Sequence, residues 1–379
     1  MKFEIGMKVY STEWFLKHQL SYDKAAAVLQ DWGVSSVMAQ SRYLQMPDTA
    51  VKSEIPPEWA RRYETYEDLK FREALAKRGI EYWAAALMFF DPESLQTNPE
   101  RWAVGDDGEK MPKTDWYIGI PPSHEDQVQK KIEAILPAVK ALQPDGVFLG
   151  FMRWPNFWEL WLPEMNRGDF REYSFDRHTL DRFERETGIS LPDKDAKTAA
   201  EWIQNNARLA WTDWKCQIVA QVIHQVKAAC QVHQPDLKMM LNTVPFGKND
   251  FSNAEEEVFG QRFELLAGDV DVFEVMTYHQ ILKRPTQWVR EIGEEVKQRS
   301  GRKTTCTIQA RPLYVDGMHA NRGRKTDLNV AEFEALVSEA ASSDLIDGVN
   351  VFMWADFLNQ VYEDHNHQYI DILKKYARS

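Results

Sequence analysis

The chain has 379 residues, 44% of them apolar, a net charge of -12 and an unusual aromatic load of 14 Trp, 13 Tyr and 19 Phe. That length and apolar share suffice for a sizeable core, and one large α/β barrel with long loops is as natural as two domains. The acidic balance argues against nucleic acid and anionic membrane surfaces as partners, and no run approaches the ~18 apolar residues of a membrane span.

A neutral or cationic small substrate is compatible with that charge. Cys216, Cys230 and Cys306 are odd in number and lack metal-type spacing, so buried, reduced thiols are expected, in keeping with a reducing compartment. The first ten residues, M-K-F-E-I-G-M-K-V-Y, alternate like a strand and carry no signal-peptide core, so a cytoplasmic location is the expectation.

Alternation predicts a first strand over Phe3 to Ser11. Ser21 is placed to cap a helix from Tyr22 to Trp32, stopped by Gly33, and Val34 to Gln40 reads as the second strand. Residues 43–64 show little periodicity and read as a long loop. A capping pattern from Thr65 starts a helix to Arg78, followed by a third strand over Ile80 to Phe89 and a second long loop over 91–122. A helix from Ser123 to Leu142, with Pro137 as an expected kink, leads to a fourth strand, Val147 to Met152. Residues 153–197 form the longest excursion, with a short helix near Asp176 to Thr187. A long helical region to Val232 precedes strand five, Leu237 to Val244. Helix 254–267 precedes strand six, Val270 to Thr277, and a helix opening at Pro285 precedes strand seven, Thr304 to Ala310. Helix 330–341, strand eight over Val349 to Trp354 and a helix over Tyr369 to Tyr376 complete the order.

Eight strands alternating with helices predict a parallel sheet whose right-handed crossovers close into a single (β/α)8 TIM barrel across residues 1–379, with insertions at about 43–64, 91–122 and 153–197. A doubly wound open sheet would need a glycine-rich phosphate turn after strand one, and Tyr10 to Trp14 offers none. Barrel chemistry sits at the C-terminal ends of the strands, where alternate side chains face inward. Choosing the parity that buries sensible groups gives Lys8 and Tyr10, Gln40 and Arg42, Gly150 and Arg153, Asn242, Glu274, Tyr278 with His279, Gln309 and Arg311, and Trp354 with Asp356. A purely structural barrel needs no such polar, aromatic crown. Each residue also has a plain structural reading: Lys8 with Glu274 as a buried ion pair, Arg153 as a loop brace, Glu159 as a rim salt bridge, Asp356 as a cap. His365 and His367 lack a third ligand nearby, and no metal or cofactor is called for.

Glycoside hydrolysis needs two carboxyls flanking the scissile bond. Glu159, Asp356 and Glu274 are the candidates, on or after strands four, eight and six. Trp-rich loops supply stacking surfaces for sugar rings. No G-x-S-x-G elbow, H-E-x-x-H pair or P-loop is present.

The run L-G-F-M-R-W-P-N-F-W-E, Leu149 to Glu159, resembles the strand-four signature of little-characterised glycoside hydrolase-like TIM-barrel families, close to L-D-F/Y-I/M-R-aromatic-P. Ser174 to Gly188, Val275 to His279 followed by Arg284-Pro285, and Gln309 to Pro312 resemble further segments of those families. The likeness spans most of Pro144 to Asp356. It departs at Gly150, where relatives carry an aspartate, and at Gln309, where clan-A retaining enzymes carry a glutamate nucleophile. That leaves a different carboxylate pair, an inverting mechanism, or a barrel that binds sugar without cleaving it. The first reading is a glycoside hydrolase-like enzyme with Glu159 and Asp356 as its acid/base pair. Arg153, Tyr278 and His279 would orient a carbohydrate that stacks on Trp154 and Trp354, with Lys8, Tyr10, Arg42, Asn242 and Gln309 also touching it. The second is a non-catalytic carbohydrate-binding barrel. A third, a lyase or isomerase using Lys8 as base or Schiff-base former, is weaker. Sugar, linkage and oligomeric state stay open.

Overall fold

In a computed structural model that describes residues 3–44 and 56–377, eight parallel strands close into one barrel in chain order, the first pairing with the last. The strands are β1 (Glu4–Val9), β2 (Ser36–Ala39), β3 (Glu81–Leu87), β4 (Gly146–Gly150), β5 (Lys238–Thr243), β6 (Val272–Val275), β7 (Lys303–Gln309) and β8 (Gly348–Phe352). The molecule is a single (β/α)8 TIM barrel with long loops after the strands.

Alternation along each strand builds two cores. One parity (Ile5, Met7, Val37, Ala84, Val147, Leu149, Met239, Phe273, Ile308 and Val351 among them) faces the helices and is fully buried there. The other fills the lumen with Met38, Trp83, Ala85, Phe148, Met240 and Val272, capped by Tyr10. Two glycines make that filling possible. A Cβ on Gly146 would lie 2.3 Å from the Trp83 ring, and one on Gly6 would lie 1.8 Å from Asn350 Oδ1.

Register is pinned below the lumen. Asp145, Asp271 and Asp347 immediately precede or approach β4, β6 and β8. Their carboxylates accept the N–H groups of Tyr82, Met239 and Thr304 on β3, β5 and β7, each at 2.8 Å. Each aspartate's own N–H returns a bond to the same residue's carbonyl. These reciprocal clamps fix strand pairing, because a one-residue slip would turn every side chain to the wrong face.

Several loop and helix expectations need correction. Residues 56–64 are not loop: Pro57–Glu64 is a helix opened by Pro57 at its first turn, while residues 45–55 lie outside the described set. The 91–122 segment contains a short helix, Pro92–Thr97, capped by Asp91. The helical region expected to run unbroken to Val232 is two helices, Ala196–Asn206 and Arg208–Gln231, parted at Ala207 (φ -138°, ψ 18°). Helix 254–267 is likewise two short turns, Ala254–Glu257 and Phe263–Leu266, separated by Gly260 at φ +69°. Pro285 precedes its helix, Trp288–Ser300, rather than opening it. Most consequentially, β8 stops at Phe352 and a helix, Trp354–Tyr362, starts two residues later.

All three cysteines are buried thiols. Burial pushes Cys216 up to about 12 and Cys230 up to about 11, so neither is a ready thiolate. Among the described residues no helix is long and apolar enough to cross a membrane, and no group of three or more His, Cys, Asp or Glu is arranged to hold a metal ion.

Candidate active site at the barrel mouth

Lys8 on β1 reaches across the lumen to Glu274 on β6, with Nζ 3.0 Å from a carboxylate oxygen. Asn242 on β5 donates its side-chain amide to the other oxygen. All three are buried. Burial holds the Lys8 ammonium below its ordinary range, against the pull of Glu274. The ammonium also sits 5.1 Å from the Phe148 ring and 5.9 Å from those of Tyr10 and Phe352.

Above this pair lie Tyr10, Phe352 and Tyr278, packed edge to face at centroid distances of 6.0 Å and 5.7 Å. Tyr278 in turn stacks parallel to Trp158 at 6.4 Å. Burial, reinforced by the charge of Glu274, pushes Tyr10 and Tyr278 well above the usual phenol range. They therefore stand as neutral hydroxyls.

The third layer is Glu159, on a 3-10 turn (Trp158–Leu160) in the loop after β4. Only 6% of the residue is exposed, and its Oε2 has no hydrogen-bond partner. Burial pushes its carboxyl up to about 7, opposed by the Arg153 and Arg324 guanidiniums and assisted by Asp115. Arg153, 2% exposed, donates to the Asn156 carbonyl at 3.4 Å and lies 5.0 Å from the Phe151 ring, while its Nε has no acceptor. Arg324 donates to the Glu159 backbone carbonyl and, at 2.8 Å, to that of Ile281, locking the β7 loop onto the β4 and β6 loops. Tyr314 completes the roof, its hydroxyl accepting from Trp116 Nε1 at 3.2 Å. The charges of both Glu274 and Glu159 add to the upward push on the Tyr278 phenol.

Several expected site residues face elsewhere. Asp356 caps the helix Trp354–Tyr362, accepting the Met353 N–H at 3.4 Å, and is salt-bridged to Arg311 at 2.8 Å. Its carboxylate thus serves the cap and the salt bridge, the structural role open to it. Trp354 does not stack over the mouth. Because the strand has ended, its ring lies in the outer core, parallel to Phe71 at 6.4 Å. Trp154 is turned outward too, donating to the Lys215 carbonyl at 3.2 Å and packing on Trp214. His279 points to the helix Val330–Ala341, with Nε2 2.9 Å from Glu332, so it lines an outer groove rather than the mouth. Gln309 spends its amide on Gln280 at 2.9 Å and on the Arg311 carbonyl at 3.0 Å. Arg42 lines a side cleft beside Tyr10.

The residues that sequence reasoning did not single out are Trp116, Asp115, Tyr314, Arg324 and Phe352. The first four sit on loops with no strand periodicity to place them. Phe352 had a signal: it is the inward-parity residue at the end of β8.

No protein-family profile matches the sequence, and no curated protein does. Solved structures do match. A catalytic mutant of Gan42B, a GH42 beta-galactosidase from G. stearothermophilus, is similar over the whole chain and 57% of its own, with a TM-score of 0.63 at 10% identity. The beta-galactosidase from Bacillus circulans sp. alkalophilus gives 0.62 at 11% identity, covering 100% of this chain and 55% of its own. Alpha-L-fucosidase isoenzyme 2 from Paenibacillus thiaminolyticus gives 0.58 at 14% identity, covering 100% and 49%. The chain thus spans about half the length of these neighbours. At such identities the likeness is one of fold alone: a (β/α)8 barrel.

Proposed function

We propose that the protein is a carbohydrate-active enzyme of the glycoside hydrolase kind, with Glu159 as general acid. The observation that carries this reading is the state of Glu159. A buried carboxyl without a partner on Oε2 and raised to about 7 is protonated in about half of the molecules at neutral pH, and its proton is available for a leaving-group oxygen. Glu274 would supply the second carboxyl that hydrolysis requires, and its charge, like that of Glu159, is felt by the Tyr278 phenol. Lys8 and Asn242 hold it in place. Tyr10, Tyr278 and Arg153 are the groups that would bind sugar hydroxyls, and Trp158 with Phe352 provides apolar surface. The fold shared with beta-galactosidases and a fucosidase is in keeping with a glycosidic substrate.

A second reading has its own support. Glu274 is fully buried and neutralised by Lys8, and Gly150 and Gln309 stand where relatives carry carboxylates. A barrel that binds sugar without cleaving it would look the same.

Turnover of a panel of aryl glycosides separates the two. For an enzyme, kcat/KM falls as pH rises through about 7, and Glu159→Gln lowers it about 100-fold or more and removes that limb. Wild-type protein that binds sugars yet cleaves none of the panel would establish the non-catalytic barrel.

A further inference from the structure

A cleft of about 510 Å³ opens beside the mouth, at the C-terminal ends of β1 and β2. Its walls include Tyr10, Trp14 and Arg42, together with Trp59 and Tyr63 from the helix Pro57–Glu64, and Tyr66. The volume is that of a small-ligand site, and the lining pairs five aromatic rings with seven polar or charged residues. Tyr10 belongs to both places. It walls the cleft, and it packs against Phe148 and Phe352 above Glu274. A ligand in the cleft would therefore be continuous with one at the mouth.

The polar atoms of the cleft are unbalanced. The Arg42 guanidinium lies 4.4 Å from the Tyr63 ring and 5.7 Å from that of Tyr66. Its Nε and Nη2 are buried and have no acceptor, and the same holds for Nε1 of Trp14, which is 1% exposed. Two carboxylates line the same cleft, and neither satisfies the guanidinium. Asp68 turns both oxygens to the Arg42 backbone N–H, at 3.4 Å and 3.2 Å, and Glu64 is exposed on the rim. Among the described residues no carboxylate is ion-paired with Arg42. Asp68 acts on the Arg42 charge through space, yet Nε and Nη2 still lack an acceptor, and a buried donor without one is costly unless a ligand supplies it. Guanidinium matches planar or tetrahedral oxyanions, and its aromatic stacking leaves it preorganised to do so.

We infer that this cleft is a subsite for a sugar carrying an anionic substituent, a hexuronate carboxylate or a sulfate ester, held by Arg42 against the aromatic walls. The inference rests on the carbohydrate reading above and narrows its substrate class.

Isothermal titration of the wild-type protein with D-glucuronate, D-galacturonate, a sulfated glucose and unmodified D-glucose tests it. An anionic sugar binds about 10-fold or more tighter than glucose, and the acid that binds better tells carboxylate from sulfate. Raising the ionic strength weakens the anionic ligand alone. Arg42→Gln removes the preference of the anionic sugar over glucose, while Arg42→Lys keeps part of it. Equal affinity for charged and neutral sugars, no binding of any, or an Arg42→Gln variant that still prefers the anion would overturn the inference. The wild-type arm decides even if a variant does not fold. The two proposals fail separately. Glu159-dependent cleavage of neutral glycosides without any anion preference removes the subsite and keeps the hydrolase. Arg42-dependent uronate binding without cleavage does the reverse.

Discussion

Burial raises the Glu159 carboxyl to about 7, and the two nearby guanidiniums reduce that effect without cancelling it. This has a consequence for folding as well as for chemistry. In the unfolded chain the group titrates near the ordinary glutamate value of about 4.5; in the folded protein it titrates near 7. Between those values the folded state binds more protons, so stability falls as pH rises across that window and stays at its lower level above it. Glu159→Gln removes the titration. Relative to wild type, the variant should gain stability on the order of 3 kcal/mol on going from below pH 4.5 to above pH 7, by urea unfolding at a series of pH values. A wild-type curve parallel to that of the variant would mean that Glu159 titrates normally and is no proton donor. A carboxyl that gives up stability above neutrality to stay protonated below it is what general acid catalysis asks for.

At the scale of elements, β8 shows how a two-residue difference in where a strand ends changes which way its side chains are aimed. Alternation extended to Trp354 aims both Trp354 and Asp356 into the mouth. The strand ends at Phe352 instead, and Asp356 becomes the third residue of a helix whose first N–H groups need an acceptor. Asp356→Asn should therefore cost about 0.5–2 kcal/mol of stability, the usual range for a lost cap, and leave turnover on any cleaved glycoside within a few-fold of wild type. A collapse of kcat with unchanged stability would restore Asp356 to the chemistry. The strands themselves were legible as short, mostly apolar runs set between helical segments, as at β4, Gly146–Gly150, which follows Pro144-Asp145. The loops were not, because Trp116, Tyr314 and Arg324 converge through tertiary contacts that no local pattern encodes. The same holds for Trp154. Its R-W-P context marks a strand end, yet only the packing of Trp214 and Lys215 behind it shows which way the ring turns.

For the whole molecule, the decisive feature is a charge pair spanning the lumen of a closed barrel. Lys8 and Glu274 belong to β1 and β6, strands that are not neighbours, so the pair ties opposite walls together. Its side chains are 3% and 0% exposed, so both ions have left water. Removing one partner strands the other. Lys8→Met should cost about 3–5 kcal/mol by urea unfolding, whereas Lys8→Met combined with Glu274→Met should recover most of that loss, since an apolar pair of similar volume is often neutral or better. The double variant then becomes a probe of function with the fold intact. If Glu274 serves hydrolysis, the recovered protein still fails to cleave a glycoside that the wild type cleaves, and its affinity for the sugar changes far less than its turnover. If turnover returns with stability, the pair holds the barrel shut and nothing more, and the second carboxyl of the reaction lies elsewhere. A barrel stabilised by apolar contacts alone has no need to bury two ions that it could replace. Their burial beside Asn242 and under the ring cluster of Tyr10, Phe352 and Tyr278 is the reason to expect the first outcome.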